Sequence, residues 1–201
     1  MRALSFSAGV EQLVFGAPQT GVGMGRGYVA VGDRVLALTP PGIGRMPNGV
    51  ACALTVAARQ AVLIGEGRIE AHGDVVVLDG AERWDPVPRP RVCLHASRKL
   101  PLDPDRLAGQ GPGLTPAGDD LLAGYAAGLV LWHDRREEAE RLVARAAPRT
   151  TLLSATLLRH AGRGELPEAA HALLERGDPE PLRRFGRSSG RVLMLGLALA
   201  C

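Results

Sequence analysis

The densest chemical signal in the chain is the run Gly109-Gln-Gly-Pro-Gly-Leu-Thr-Pro-Ala-Gly-Asp-Asp-Leu-Leu-Ala-Gly124. Gly109, Gly111 and Gly113 permit positive φ and a close backbone approach to a ligand. Thr115 is a natural helix N-cap and Pro116 a natural first helical residue. A glycine loop that feeds a helix N-terminus turns free N–H groups toward an anion. A plain loop with a well-capped helix is the alternative reading.

Asp119 and Asp120 follow at once. In a helix, Asp120, Gly124 and Gly128 share one face, and Asp119, Ala123 and Ala127 form the neighbouring track. Two carboxylates thus head a groove of small side chains. Such a groove lets a second helix approach closely, which partly buries both acids. A buried charge is costly unless it is paired or coordinates a metal. The competing role is to complement the helix dipole from its first turn. Two later segments are candidates to complete a site. Thr150, Thr151 and Ser154 cluster at a helix start, and Gly186-Arg-Ser-Ser-Gly190 is a glycine-bounded turn entering another helix. Arg187 is placed to pair with an anion or with an aspartate. His72, His95, His133, His160 and His171 show no mutual spacing, and no Ser-His-Asp or Cys-His arrangement emerges.

The elements that position these residues divide the chain into a β-rich front, 1–95, and a helical part, 96–201. Tyr28–Val31 and Val35–Leu38 flank Gly32-Asp33, and Ala61–Ile64 and Arg68–His72 flank Gly65-Glu-Gly67, two hairpin patterns. Val75–Leu78 and Val92–His95 read as further short strands. Asp85–Pro90, with three prolines, reads as a linker or an edge excursion. Helices are predicted over Pro116–Trp132, Asp134–Ala147, Thr150–Gly162, Pro167–Arg176, Pro181–Phe185 and Ser189–Ala200. The expected class is α+β: a small barrel- or sandwich-like β part packed against a C-terminal helical bundle.

Composition narrows the function. Of 24 cationic residues only Lys99 is lysine, and the net charge is +3. The two halves balance, with 12 cations against 10 anions up to residue 108 and 12 against 11 after it. Neither is a basic arm, and aromatics at 3% offer few stacking surfaces, so nucleic acid is not an expected partner. The longest apolar runs, Leu121–Trp132 and Val192–Ala200, are shorter than a membrane span, and no signal peptide is expected at Met1–Val10. Cys52, Cys93 and Cys201 form neither an even disulfide framework nor a metal-ligand spacing, so a cytoplasmic location is expected.

Gly-Pro-Gly-Leu-Thr-Pro-Ala-Gly-Asp-Asp, then Thr-Thr-x-x-Ser at 150–154, then Gly-x-Ser-Ser-Gly at 186–190, resembles the domain-of-unknown-function family typified by AllH, a subunit of bacterial oxamate carbamoyltransferase. The resemblance is strongest over 109–196. Gly44-Arg-Met-Pro-Asn-Gly49 is a weaker match to the family's Pro-containing turn. Ala117 and Val192 stand where the family commonly has Ser and Asp. The resemblance implies purine and allantoin catabolism, with a carbamoyl group passed between oxalurate and phosphate to give oxamate and carbamoyl phosphate. It implies a small anionic substrate and other protein subunits as partners. Under it, Gly111, Gly113, Leu114, Thr115, Thr151, Ser154, Arg187, Ser188, Ser189 and Gly190 are expected to bind substrate or anion. Asp119 and Asp120 are expected to be catalytic or to hold Mg²⁺. A non-catalytic scaffold or ligand-binding partner subunit is the alternative.

Overall fold

The structure, a computed structural model, describes residues 1–96 and 102–201; Lys99 lies outside them. The chain forms two compact units, Met1–Pro86 and Val87–Cys201.

The first unit carries one curled nine-stranded sheet. Its strands are β1 (Ser5–Ser7), β2 (Gln19–Gly25), β3 (Tyr28–Val31), β4 (Arg34–Thr39), β5 (Gly49–Ala51), β6 (Ala61–Gly65), β7 (Arg68–Ala71), β8 (Asp74–Val77) and β9 (Glu82–Trp84), with a short helix α1 at Glu11–Phe15. The spatial order is β8-β7-β6-β2-β3-β4-β5-β1-β9. A bridge from Arg2 to Val77 curls edge strand β8 back toward the chain just ahead of β1, giving a half-barrel.

Both predicted hairpins form. Val31 pairs with Arg34, leaving Gly32-Asp33 as the two-residue loop. Gly65 pairs with Arg68, so the second loop is Glu66-Gly67, with φ of 49° and 71°. Two successive positive φ values are the signature of the hairpin turn whose twist matches its strands. Inside the curl, Val29, Leu36, Val50, Ile64, Ile69 and Val76 are fully buried and make one apolar core. Asn48, in the 44–49 turn, is also fully buried, and its amide donates to the Val35 carbonyl at 2.9 Å.

The second unit begins with an extended strap over 87–96 and continues as helices. These are α2 (Pro104–Leu107), α3 (Ala117–His133), α4 (Arg136–Ala146), α5 (Leu152–Ala161), α6 (Glu168–Arg176), α7 (Glu180–Arg183) and α8 (Ser189–Ala200). The six predicted helices are present with small shifts at their ends. Pro116 occupies the N-cap rather than the first turn of α3, and Thr115 lies outside it. Asp134 does not open α4. It closes α3 in the left-handed conformation, φ 50°, while Glu137 and Glu138 fill the first turn of α4.

Two further expectations fail. Val92–His95 is not a strand. The strap docks on helix ends instead: Arg91 and Val92 donate to the Leu174 carbonyl, and Ala96 to the Ala198 carbonyl at 3.1 Å. The cysteines are not all unpaired either. Cys93 is joined to Cys201, their Cα atoms 6.0 Å apart across 108 residues, while Cys52 stays free and buried.

The core of the helical unit is organised by the contact of α3 with α8. Gly124 and Gly196 face each other: a Cβ on either would sit 3.0 Å from the other's Cα. One turn on, a Cβ at Gly128 would meet the Ala200 methyl at 2.4 Å. One small residue per turn on each helix thus lets the two backbones touch. The order of contacts means that α3 and α8 run parallel, starting at the same end.

We expect Gly124→Ala to be destabilising although alanine favours helix. The added methyl would lie 2.1 Å from the Leu193 carbonyl oxygen, a backbone atom that cannot swing aside. The helices must separate, at about 2 kcal/mol or more, against less than about 1 kcal/mol gained in propensity. A urea titration of wild-type and variant checks this. An unchanged midpoint would show that the contact tolerates a side chain.

Candidate functional site

At the end where α3 and α8 both begin, three segments meet. The loop 109–118 enters α3, Thr150-Thr151 enters α5 and the turn 186–190 enters α8. Hydrogen bonds tie them together. Thr150 Oγ1 donates to Asp119 Oδ2, and Thr151 Oγ1 donates to the Leu114 carbonyl at 2.7 Å. Thr115 and Ser189 share a hydroxyl–hydroxyl bond of 3.1 Å. The Ser189 hydroxyl also hydrogen-bonds to the Asp120 carboxyl.

The loop is wound by its glycines. Gly111 and Gly113 have φ of 120° and 101°, which L side chains rarely adopt. Gly118 is needed for space: a Cβ there would come within 1.9 Å of the Leu107 carbonyl oxygen. Its N–H closes the loop onto the Gln110 carbonyl at 2.9 Å. Among the described residues, no hydrogen bond takes up the N–H groups of Gly111, Gly113, Leu114 and Thr115. Gly111, Pro112, Gly113 and Leu114 are exposed, so this edge of the loop is open.

The adjacent aspartates, both buried, have different surroundings. Each oxygen of Asp119 has a partner: Oδ1 accepts from Gly109 N–H at 2.8 Å and Oδ2 from Thr150. It pins the start of the loop and the entry to α5 onto α3. Asp120 is held against the start of α8, and its Oδ2 makes no hydrogen bond. Burial pushes its carboxyl up to about 7, and the neighbouring charge of Asp119 adds to that, while the Ser189 hydroxyl pulls it back. Ser154, one turn into α5, has a second buried oxygen with no partner, its Oγ.

The other predicted residues fall into place around these. Thr151 is the N-cap of α5, its hydroxyl accepting from Ser154 N–H at 3.1 Å. Gly190 is buried where a Cβ would lie 1.7 Å from the Leu182 carbonyl oxygen, and its bare backbone lets α7 pack closely on α8. Ser188 stands at the N-cap of α8 without a side-chain bond, and Ser188 and Arg187 are both exposed. Sequence reasoning missed the use of Gly109 N–H and of Thr150 as the partners of Asp119. The signal was present in the Gly at the head of the loop and in the doubled threonine.

The donor set bears on the Mg²⁺ expectation. Mg²⁺ takes six oxygens in near-octahedral order, commonly one or two of them carboxylate. Each Asp119 oxygen accepts one hydrogen bond from the protein and keeps a second lone pair, and Asp120 Oδ2 accepts none. No step below runs through a divalent ion.

Residues 107–201 match the family described as oxamate carbamoyltransferase subunit AllH. The match spans the glycine loop, the Thr150 region and the 186–190 turn, and does not extend to the 44–49 turn. No curated protein and no solved structure matches the chain. Among the described residues, no helix is long and apolar enough to cross a membrane.

The Asp120 carboxyl fixes a testable pH dependence. Its value rises from an ordinary 3.8 to about 7 on folding, so between those values the folded chain holds a proton that the unfolded chain has lost. Stability therefore falls as pH rises across that window, and the full cost, about 4 kcal/mol at most, stands above it. Asp120→Asn removes the charge and keeps the shape. It should stabilise the protein at pH 8, by an amount that shrinks to less than half at pH 5. Thermal melts of both proteins at the two pH values check this, and a variant less stable at pH 8 would contradict it.

Proposed function

We propose that the chain, whose residues 107–201 match an oxamate carbamoyltransferase subunit family, is a subunit of an enzyme of that kind and carries part of its reaction centre. The observation behind this reading is the Asp120 carboxyl: buried, with one oxygen unpartnered, titrating near neutrality, beside a glycine loop with unused N–H groups. General acid–base catalysis works best with a group whose pKa lies near the working pH.

The reaction has matching needs. Oxalurate and hydrogen phosphate give oxamate and carbamoyl phosphate. A phosphate oxygen attacks the carbamoyl carbon, the bond from that carbon to the amide nitrogen breaks, and the nitrogen leaves with a proton. In this reading protonated Asp120 supplies that proton, and the phosphate hydroxyl returns one to it. In the reverse direction the ionised carboxylate takes the proton from the attacking amide. Thr115 and Ser189 hold the carboxyl in place through their hydroxyl chain. The N–H groups of Gly111, Gly113, Leu114 and Thr115 receive the phosphate or the oxyanion on the carbamoyl carbon. Arg187, exposed on the 186–190 turn, receives the substrate carboxylate or phosphate as a charge-assisted partner. Asp119 acts through position, keeping the loop and the entry to α5 in register.

The test is phosphorolysis of oxalurate by the purified chain, alone and with its partner subunits, monitored through carbamoyl phosphate. Asp120→Asn is expected to lower turnover at least 100-fold in the complete assembly with folding intact. Arg187→Ala is expected to raise KM with a smaller change in kcat. The pH profile of the wild type should show a titration near 7 that the Asp120→Asn variant lacks. If the assembly needs this chain but is indifferent to Asp120→Asn, the chain is a scaffold and the reading fails.

A further inference from the structure

On the helical unit, the extended strap and the end of α8 bring together Cys93, His95 and Cys201. Their ligand atoms, two sulfurs and an imidazole nitrogen, all lie within 4.8 Å of one another. Cys93 and His95 are two apart in an extended segment, so their side chains point to the same side. The strap is held on both flanks of the cluster: Val92 N–H on the Leu174 carbonyl and Ala96 N–H on the Ala198 carbonyl, each 3.1 Å. Cys201 N–H is held on the Leu197 carbonyl at 3.3 Å.

We propose that, when Cys93 and Cys201 are reduced, these three side chains form a Cys₂His site for Zn²⁺, and that the Cys93–Cys201 disulfide is the oxidised, metal-free form of the same site. The Cα separation of 6.0 Å suits the disulfide. A disulfide, however, needs no third ligand, and His95 brings one. Tetrahedral zinc with sulfur at about 2.3 Å and nitrogen at about 2.0 Å spaces its ligands roughly 3.5–3.8 Å apart, within the observed limit. Two thiolates neutralise the divalent charge, so the nearby Arg135, Arg141 and Arg145, which line a cavity of about 630 Å³ reaching Cys201, do not repel the loaded site. Cys93 and His95 are exposed, which leaves the fourth position to water or an exogenous ligand. Three protein ligands with one open position distinguish such a site from a closed structural one.

The chemistry balances. A phosphine reductant and water convert the disulfide to two thiols and a phosphine oxide. Metal binding then displaces the two thiol protons to solvent and leaves the imidazole neutral. Reoxidation by a disulfide or peroxide oxidant joins the sulfurs and releases the ion.

The experiment uses the full chain with Cys52→Ser, which removes the third thiol. After phosphine reduction, thiol titration should find two groups. Adding Co²⁺ should give one equivalent of thiolate-to-metal charge transfer in the near ultraviolet with tetrahedral visible bands, lost on adding Zn²⁺. His95→Ala, at an exposed position, should weaken binding at least tenfold, and Cys93→Ser should abolish it. The oxidised protein should bind none. In the otherwise unaltered chain, Zn²⁺ should protect Cys93 and Cys201 from alkylation as read by mass spectrometry. Two free thiols without metal binding would overturn the proposal. So would His95→Ala binding as tightly as its parent, since the sulfurs would then suffice alone.

Discussion

Everything at the candidate site follows from the contact of α3 with α8 at Gly124 and Gly196. Two helices whose backbones touch cannot carry side chains at the crossing, and neither does here. Because the helices run parallel, their N-termini fall at the same end. That places Ser189 beside Asp120 and Thr115, and it adds the positive poles of two helices at one spot. An antiparallel pair with the same crossing would put the 186–190 turn at the far end of α3. The small-residue face is therefore a device for orientation as well as for packing.

Within that frame, adjacent residues of one helical turn separate by roughly 100° and so meet different neighbours. Asp119 turns toward the loop and α5, where a backbone N–H and a hydroxyl each meet one of its oxygens. Asp120 turns toward α8, where a single hydroxyl meets it and one oxygen is left without a partner. Buried polar atoms in folded proteins are almost always satisfied, and an exception needs a reason. Keeping Asp120 buried costs stability at neutral pH, which is the kind of cost that functional groups carry.

The helical half was largely legible in the sequence because its signals are local. Apolar periodicity, Pro116 and Pro167 at helix entries and the glycine after Arg176 each act within a turn of the boundary they mark. The two hairpins were legible for the same reason. What stayed hidden was non-local. The strand Gln19–Gly25 reads as loop because it holds glycines at 21, 23 and 25. Yet Gly23 is required there because the Ala57 carbonyl oxygen passes 2.0 Å from where its Cβ would be. β1, β5 and β9 are three residues each, too short for any alternation to show. In the site, the glycine loop and the acid pair stood out, but the division of labour between Asp119 and Asp120 depends on partners 31 and 69 residues away. Cys93 and Cys201 are the extreme case: no spacing rule joins residues 108 apart, and only the strap and the end of α8 bring them together.

A second strongly shifted carboxyl shows why a perturbed titration alone does not identify a site. Glu165 is also largely buried, and burial acts to raise it. Hydrogen bonds from His160 and Arg163 win, and hold it down to about 2. Its oxygens are both used, one by His160 and both by Arg163, in a compact cluster at the end of α5. That arrangement stabilises the fold above the ordinary carboxylate range, and loses that contribution as pH falls through 4.5 toward 2. Its ionised form is the satisfied one, so it has no reason to exchange a proton near neutrality. Asp120 has the opposite character. Its ionised form is under-satisfied, its neutral form is favoured by burial, and the balance falls near pH 7. The direction of the shift, taken with the unpartnered oxygen, separates a group whose ionised form holds the structure from one whose ionised form is left under-satisfied.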